Sequence, residues 1–330
     1  MVALYVTSSV NGSGRTTISA GLGKLLLSRG RKVGFLKPVI ADRQNQPGQS
    51  NDSDTVLMKH LLAIEESVDW LCPVFGNEND LQNGIKKVYA AVSTGKDVVI
   101  IEGLSGQAPG VVEALDARVM GIEVYSPDLA QTLGSYKNFG PRWLGMVINK
   151  VPRSRLEAVR REMATQRADV KILGIIPEDR ALLTLTVGEL AERIHGEILQ
   201  SVDRAAELIE SIMLGAMYVD SGLDYFGRRA NKAVVLKSDR PDMQLAALET
   251  STRCLVLAGK TTPIPAVLLR AEEQNIPIIT VKDNVATVVA SIESALSQTR
   301  FSAEKLPRLT EIMGRYFDSP SVYQGLGLAN

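Results

Sequence analysis

The stretch Val2 to Leu22, VALYVTSSVNGSGRTTISAGL, constrains this chain more than any other. The apolar run Val2 to Val6 reads as a buried strand, and the small residues Thr7 to Gly14 as a loop. Arg15, Thr16 and Thr17 follow, then a helical pattern that puts Ile18, Leu22, Leu25 and Leu26 on one face. Strand, small-residue loop, basic residue, hydroxyl pair and helix are the parts of a phosphate-binding loop (P-loop). Gly12 and Gly14 let backbone N–H groups, with those of Asn11 and Ser13, turn inward around a phosphate. The helix N-terminus adds its partial positive charge. Thr16 stands where the pattern G-x-x-x-x-G-K-[ST] places a hydroxyl bound to Mg²⁺.

Two positions depart from that pattern. Ser9 replaces the first glycine, and Arg15 replaces the lysine. A planar guanidinium pairs with oxygens as a fork, whereas lysine is a compact point charge, so Arg15 can hold a phosphate without reproducing the geometry of transfer. The competing reading of the same residues is a plain Gly/Ser turn before a helix.

Further strands follow in order. Lys32 to Val39 reads as a strand ending in Lys37-Pro38, which sets Lys37 at a strand's C-terminal end, the edge that lines the crevice in open parallel sheets. Residues 41–51 are polar and rich in Gln, Asn and Gly, a mobile loop by composition. Asp52 and Asp54 open a helix, either as N-caps or as an Mg²⁺ ligand. Asp97 to Gly103, DVVIIEG, is a buried strand with Glu102 at its end, the place of an acid that holds Mg²⁺ directly or through water. Residues 103–118 contain Gly and Pro and are read as a cover over the site. Trp143 to Pro152 is a strand ending in Asn149-Lys150, where Asn149 offers a donor and an acceptor to a nucleotide base. Lys171 to Pro177 is the last strand, and Val187 to Leu199 an amphipathic helix that closes the unit. The alternation predicts an α/β fold: a P-loop NTPase-like doubly wound parallel sheet.

The remainder reads as a smaller α/β domain: a linker helix over 201–212, strands at 213–217, 233–236, 254–257 and 278–281, and helices over 242–249 and 265–274. Asp239 and Arg240 sit in the exit loop of one strand, where they cap the next helix, pair internally or bind a ligand. The predicted organisation is 1–200, 201–298, and a terminal helix and tail over 299–330, with 318–330 poorly ordered. Lys plus Arg and Asp plus Glu each number 37, so no basic field favours nucleic acid. No apolar run is long enough to span a membrane, and the N-terminal residues lack the parts of a secretion signal, so a cytoplasmic protein is expected. Cys72 and Cys254 read as buried free thiols, and His60 and His195 lack neighbours at metal-ligand spacing.

Taken together, the P-loop, GFLKPV, the Asp-rich helix start, VVIIEG and GMVINKVP resemble the dethiobiotin synthetase-like P-loop family. GIIPEDRALLTLTVGELAERIHGEIL, IMLGAM and NKAVVLKSDRPDMQLAALETSTRCLVLAGK resemble the region upstream of the catalytic domain in long bacterial phosphate acetyltransferases, a synthetase-like domain followed by a DRTGG domain. The resemblance covers about residues 1–298. It implies that Asn11 to Thr17 hold the phosphates of ATP, that Thr16, Asp54 and Glu102 hold Mg²⁺, that Lys37 serves substrate and phosphate, and that Asn149 reads the base. Asp239-Arg240 match the Asp-Arg of DRTGG, while Ala258-Gly259-Lys260 replace its remainder. No acetyltransferase catalytic domain is expected within these residues.

Three readings of function stay open. The first is a regulatory protein or sensor that binds Mg-ATP, couples it to a homodimer, and acts with a partner enzyme of acetate or acyl-phosphate metabolism. The second is an ATP-dependent ligase of the dethiobiotin synthetase type, in which Lys37 would be the catalytic residue positioning the acceptor. The third is a degenerate P-loop fold kept as an oligomerisation scaffold.

Overall fold

The structure, a computed structural model, describes residues 1–41, 52–104, 108–126, 134, 136–165, 171–215, 222–297, 299 and 301–328. The loop read over 41–51 thus lies, but for its first residue, outside the described residues. The chain divides into two compact units, Met1–Glu178 with Leu306–Asn330, and Asp179–Lys305. The sequence reading drew its boundary at 200 instead and set 299–330 apart as a terminal helix and tail.

In the first unit, β1 (Val2–Ser8) leads through the P-loop into α1 (Arg15–Ser28), and β2 (Val33–Leu36) follows. Pro38 cannot donate to a ladder, so the strand predicted over 32–39 splits at Lys37-Pro38. Its remainder, β3 (Val39–Ile40), pairs with β4 (Val74–Phe75) in a separate ribbon. Between them lie α2 (Ser53–Leu61) and α3 (Val68–Leu71). Next come α4 (Glu78–Ser93), β5 (Val98–Leu104), α5 (Ala108–Leu115), β6 (Arg118–Val124), β7 (Trp143–Val151), α6 (Leu156–Thr165) and β8 (Ile172–Pro177). The sheet order is β2-β5-β1-β6-β7-β8, with every pairing parallel. Leu4, Tyr5 and Val6 are all fully buried, so β1 is covered on both faces. The described residues of 103–118, read as a cover, hold the end of β5, α5 and the start of β6, a strand the sequence reading did not separate.

The second unit holds α7 (Val187–Arg193), β9 (Glu197–Ile198), β10 (Ser211–Leu214), α8 (Gly222–Gly227), β11 (Lys232–Lys237), α9 (Pro241–Leu248), β12 (Thr252–Ala258), α10 (Pro265–Glu273), β13 (Ile278–Val281) and α11 (Val285–Ser297). The order β10-β11-β12-β13-β9 is parallel except at its last pair. The helix read over 187–199 stops early. His195 takes a left-handed φ of 52°, and β9 then pairs antiparallel with β13. In place of the linker helix read over 201–212 there is one short turn, Val202–Arg204, and then β10. Alternate residues of β11 feed opposite faces: Ala233 and Val235 join a core with α7 and α11, while Val234 and Leu236 join one with α9 and α10.

Two helices close the chain, α12 (Leu306–Tyr316) and α13 (Ser319–Gly325), and both belong to the first unit. α12 packs against α1, where a Cβ on Gly21 would sit 2.0 Å from Met313 Sδ and force that side chain to move. Leu309, Ile312, Met313, Phe317, Val322 and Tyr323 are buried. The expectation of poor order over 318–330 is therefore corrected: α13 is a capped helix whose Asp318 side chain accepts from the Ser321 amide.

Candidate functional site

The predicted site residues of the first unit gather at or beyond the C-terminal ends of β2, β5, β1 and β7, the edge where parallel α/β sheets place their ligand crevice. Gly12 and Gly14 take φ values of 73° and 94°, which L side chains rarely adopt, and the first helical bond runs from the Ile18 amide to the Gly14 carbonyl. Gly14 offers no side-chain cap, and among the described residues the amides of Gly14, Arg15, Thr16 and Thr17 donate to no acceptor. Four unspent donors at a helix start form an anion cradle.

Arg15 does not stand free beside that cradle. Its Nη1 donates to the Gly103 carbonyl at 2.6 Å and its Nη2 to Asn11 Oδ1 at 3.3 Å, so the guanidinium ties the loop to the end of β5. Thr16 Oγ1 donates to Glu102 Oε2 at 2.9 Å. Glu102 is buried, and its Oε1 meets no donor at bonding geometry among the described residues. Burial raises its carboxyl above the usual range, against the pull of the Lys37 charge and of the Ser19 and Thr16 hydroxyls.

Lys37 Nζ lies 2.8 Å from carboxylate oxygens of both Asp52 and Asp54. Burial would lower its pKa, but the two carboxylates outweigh it and hold the ammonium above its ordinary value. Asp52 also caps α2, accepting from the Thr55 amide at 3.2 Å and hydroxyl at 2.7 Å. Burial works against its ionised form, and Lys37 with these bonds more than compensates, holding the carboxyl below the ordinary range.

A hard cation fits the Thr16 hydroxyl and the Glu102 carboxylate with its unspent oxygen. Among the described residues no three of His, Cys, Asp and Glu converge on a metal-sized site. Magnesium held there would thus take its other ligands from phosphate oxygens and water, as it commonly does.

Asn149 is buried and spends both ends of its amide on backbone: Nδ2 donates to the Ser13 carbonyl at 2.8 Å, and Oδ1 accepts from the Lys150 amide at 2.9 Å. Lys150 Nζ donates to the Gly12 carbonyl at 2.8 Å. Thr17 makes no side-chain hydrogen bond among the described residues.

Sequence reasoning missed Glu123, at the end of β6. Its carboxylate accepts from the Ser9 amide and the Ser9 hydroxyl, each at 2.7 Å, and from the Tyr136 hydroxyl. Tyr136 stacks on Trp143 with ring centroids 4.7 Å apart, and Gly121 leaves room for both rings. Burial, then the bond to Glu123, pushes the Tyr136 phenol up. The signal that could have found Glu123 was an acid near the end of an apolar segment, MGIEV.

Asp239 and Arg240 belong to the other unit. Arg240 binds Asp242 through Nε at 2.9 Å and Nη2 at 2.7 Å, while Asp239 is exposed. Both cysteines are free and buried, as read from the sequence. Among the described residues no helix is long and apolar enough to cross a membrane.

Comparison with known proteins matches both parts of the chain. A DRTGG domain model matches residues 189–295. The phosphate acetyltransferase of Nitrosomonas europaea is 25% identical over 333 residues, covering 88% of this chain and 47% of that protein. That of Pseudomonas aeruginosa is 25% identical over 297 residues, covering 78% and 41%. The cobyrinate a,c-diamide synthase of Methanosarcina acetivorans is 26% identical over 199 residues, covering 54% and 37%. The chain spans less than half the length of each of these relatives. The model of the CobQ/CobB/MinD/ParA nucleotide binding domain matches residues 4–189, more than half of the chain, and the protein belongs to that family, with a DRTGG domain following.

Proposed function

We propose that the protein is a nucleotide-binding regulatory module that takes Mg-ATP at the P-loop and turns it over slowly or not at all. One observation carries the reading: the unspent amides of Gly14 to Thr17 stand beside an Arg15 whose fork is already spent on Gly103 and Asn11. The amides support binding. The engaged guanidinium removes the mobile cation that would follow a transferring γ-phosphate.

Asn11 to Thr17 would hold the phosphates, and Thr16 with Glu102 would hold Mg²⁺, which when bound neutralises phosphate charge. Asp54, tied to Lys37, stands ready to join as that pair opens. The relatives named phosphate acetyltransferase support a role beside an enzyme of acetate or acyl-phosphate metabolism, with the DRTGG domain coupling the nucleotide state to a homodimer or to that enzyme.

Calorimetric titration with Mg-ATP, run on the wild type, Arg15→Ala and Arg15→Lys, tests this. Micromolar binding corresponds to about −8 kcal/mol. The expected result is binding by wild type without turnover, and turnover by Arg15→Lys. Wild-type hydrolysis lost in Glu102→Gln would instead favour an ATP-dependent ligase with Lys37 as its acceptor-positioning residue. Absence of heat and of thermal stabilisation by nucleotide would leave the scaffold.

A further inference from the structure

Two groups from the end of β7 reach into the P-loop, and both bind carbonyls rather than amides. Lys150 Nζ holds the Gly12 oxygen and Asn149 Nδ2 the Ser13 oxygen, each at 2.8 Å. In a trans peptide the C=O of one residue and the N–H of the next point in opposite directions, and no peptide bond in the described residues is cis. Anchoring the Gly12 carbonyl toward β7 therefore aims the Ser13 amide away from it. Anchoring the Ser13 carbonyl does the same for the Gly14 amide. Neither amide donates to an acceptor at bonding geometry among the described residues.

Lys150 lies where the register between β7 and β8 shifts, between Ile148 and Val151. It takes a left-handed φ of 57°, a conformation that costs a residue other than glycine some strain and is concentrated at functional sites. A Cβ on Gly14 would stand 2.3 Å from Asn149 Nδ2, so the same clamp requires glycine at that position. Ser13 is buried, and its Oγ meets no hydrogen-bond partner among the described residues.

We propose that Lys150 is a positioning residue for phosphate: its ammonium fixes the Gly12 peptide so that the Ser13 amide is already aimed at an anion before one arrives. The proposal rests on the P-loop being a nucleotide site. It assigns to this exit a part in holding phosphate through the loop, distinct from contact with a base. Prearranged donors bind without the cost of ordering them at the moment of binding.

The test uses the full chain and its Lys150→Met and Lys150→Arg variants. Two readouts are taken: affinity for Mg-ATP and for Mg-tripolyphosphate, which has no base, and the amide proton–nitrogen resonances of Ser13 and Gly14 without ligand. Loss of a hydrogen bond to a charged group predicts that Lys150→Met weakens both ligands alike, by about tenfold. It also predicts shifted or broadened Ser13 and Gly14 resonances in the ligand-free protein, with recovery in Lys150→Arg. A loss confined to ATP would make Lys150 a base contact and overturn the proposal. Weakened binding with unmoved ligand-free resonances would make it a direct phosphate contact and overturn it equally. If wild type binds neither ligand, the nucleotide reading itself has failed. Wild-type binding that Lys150→Met leaves unchanged sinks the positioning role alone.

Discussion

The carboxylate of Glu123 grips Ser9 twice, through its amide and through its hydroxyl, each at 2.7 Å. Ser9 occupies the first glycine position of the P-loop motif, so the substitution supplies a second handle for an acid on the neighbouring strand. With Tyr136 as a third donor, Glu123 ties the start of the loop to β6. Replacing it with Ala strands the buried Tyr136 hydroxyl, worth about 1–3 kcal/mol when left unpaired, while the donors of exposed Ser9 can turn to water. Glu123→Ala should therefore lower stability in urea denaturation by about 1–3 kcal/mol, and Glu123→Gln by less. An unchanged midpoint in Glu123→Ala would mean that the grip contributes nothing.

Glu102 should show the opposite sign. Burial raises its folded-state pKa above the unfolded value, so the stability it contributes is present below the unfolded pKa and disappears as pH rises through the folded one. Near neutral pH the ionised carboxylate is a cost. Glu102→Gln is expected to raise the melting temperature at neutral pH, a gain that vanishes in acid, while weakening Mg-dependent nucleotide binding by about tenfold or more. A variant less stable than wild type at neutral pH would contradict this.

The Lys37 cluster predicts an acid limb. Asp52 has a folded pKa below its unfolded value, so its contribution is present above the ordinary aspartate range and is lost as pH falls through the folded pKa. Lys37, shifted upward, contributes fully below its unfolded pKa and loses that contribution only as strongly alkaline pH passes the folded one. Lys37→Met leaves two carboxylates facing each other at partial burial and should cost about 2 kcal/mol at neutral pH. Thermal melts in mildly acidic buffer should show the variant recovering relative to wild type as Asp52 becomes protonated. Parallel pH profiles would rule that out.

The contact between α1 and α12 predicts long-range dependence. Leu309 is fully buried, and both it and Met313 crowd Gly21 on the helix that carries Arg15 and Thr16. Leu309→Ala should cost about 2–5 kcal/mol by the usual penalty for a buried leucine. Nucleotide affinity of the molecules that remain folded should be unchanged, because no site side chain is touched. Chemical denaturation and calorimetry on one preparation separate the two effects.

Much of this was readable from local pattern. The runs at β1, β5 and β7 are apolar enough to be strands wherever they fall, and the polar residues at their ends led to Glu102 and Asn149. β6 escaped because Arg118, Gly121 and Glu123 break its apolar run, and only its place between β1 and β7 makes Gly121 and Glu123 buried strand. Gly121 is needed there for Tyr136 and Trp143, partners a strand pattern cannot reveal. The side-chain pairings were hidden for the same reason. Arg15 to Gly103 and Ser9 to Glu123 join residues far apart in sequence, and nothing near Arg15 announces the carbonyl that occupies it. α13 was missed because its burial depends on Leu144 and on neighbours that the tail meets only after folding back.

The first unit is built from two stretches of chain, with all of 179–305 between them. During synthesis the P-loop emerges early, yet Leu309 and Met313, the side chains that close over Gly21, are made only after the intervening unit has been translated. Domains fold as units as they emerge, so the inserted unit can complete its fold while the nucleotide domain still waits for its last two helices. The helices that cover α1 therefore follow the inserted unit in synthesis, although α1 itself precedes it.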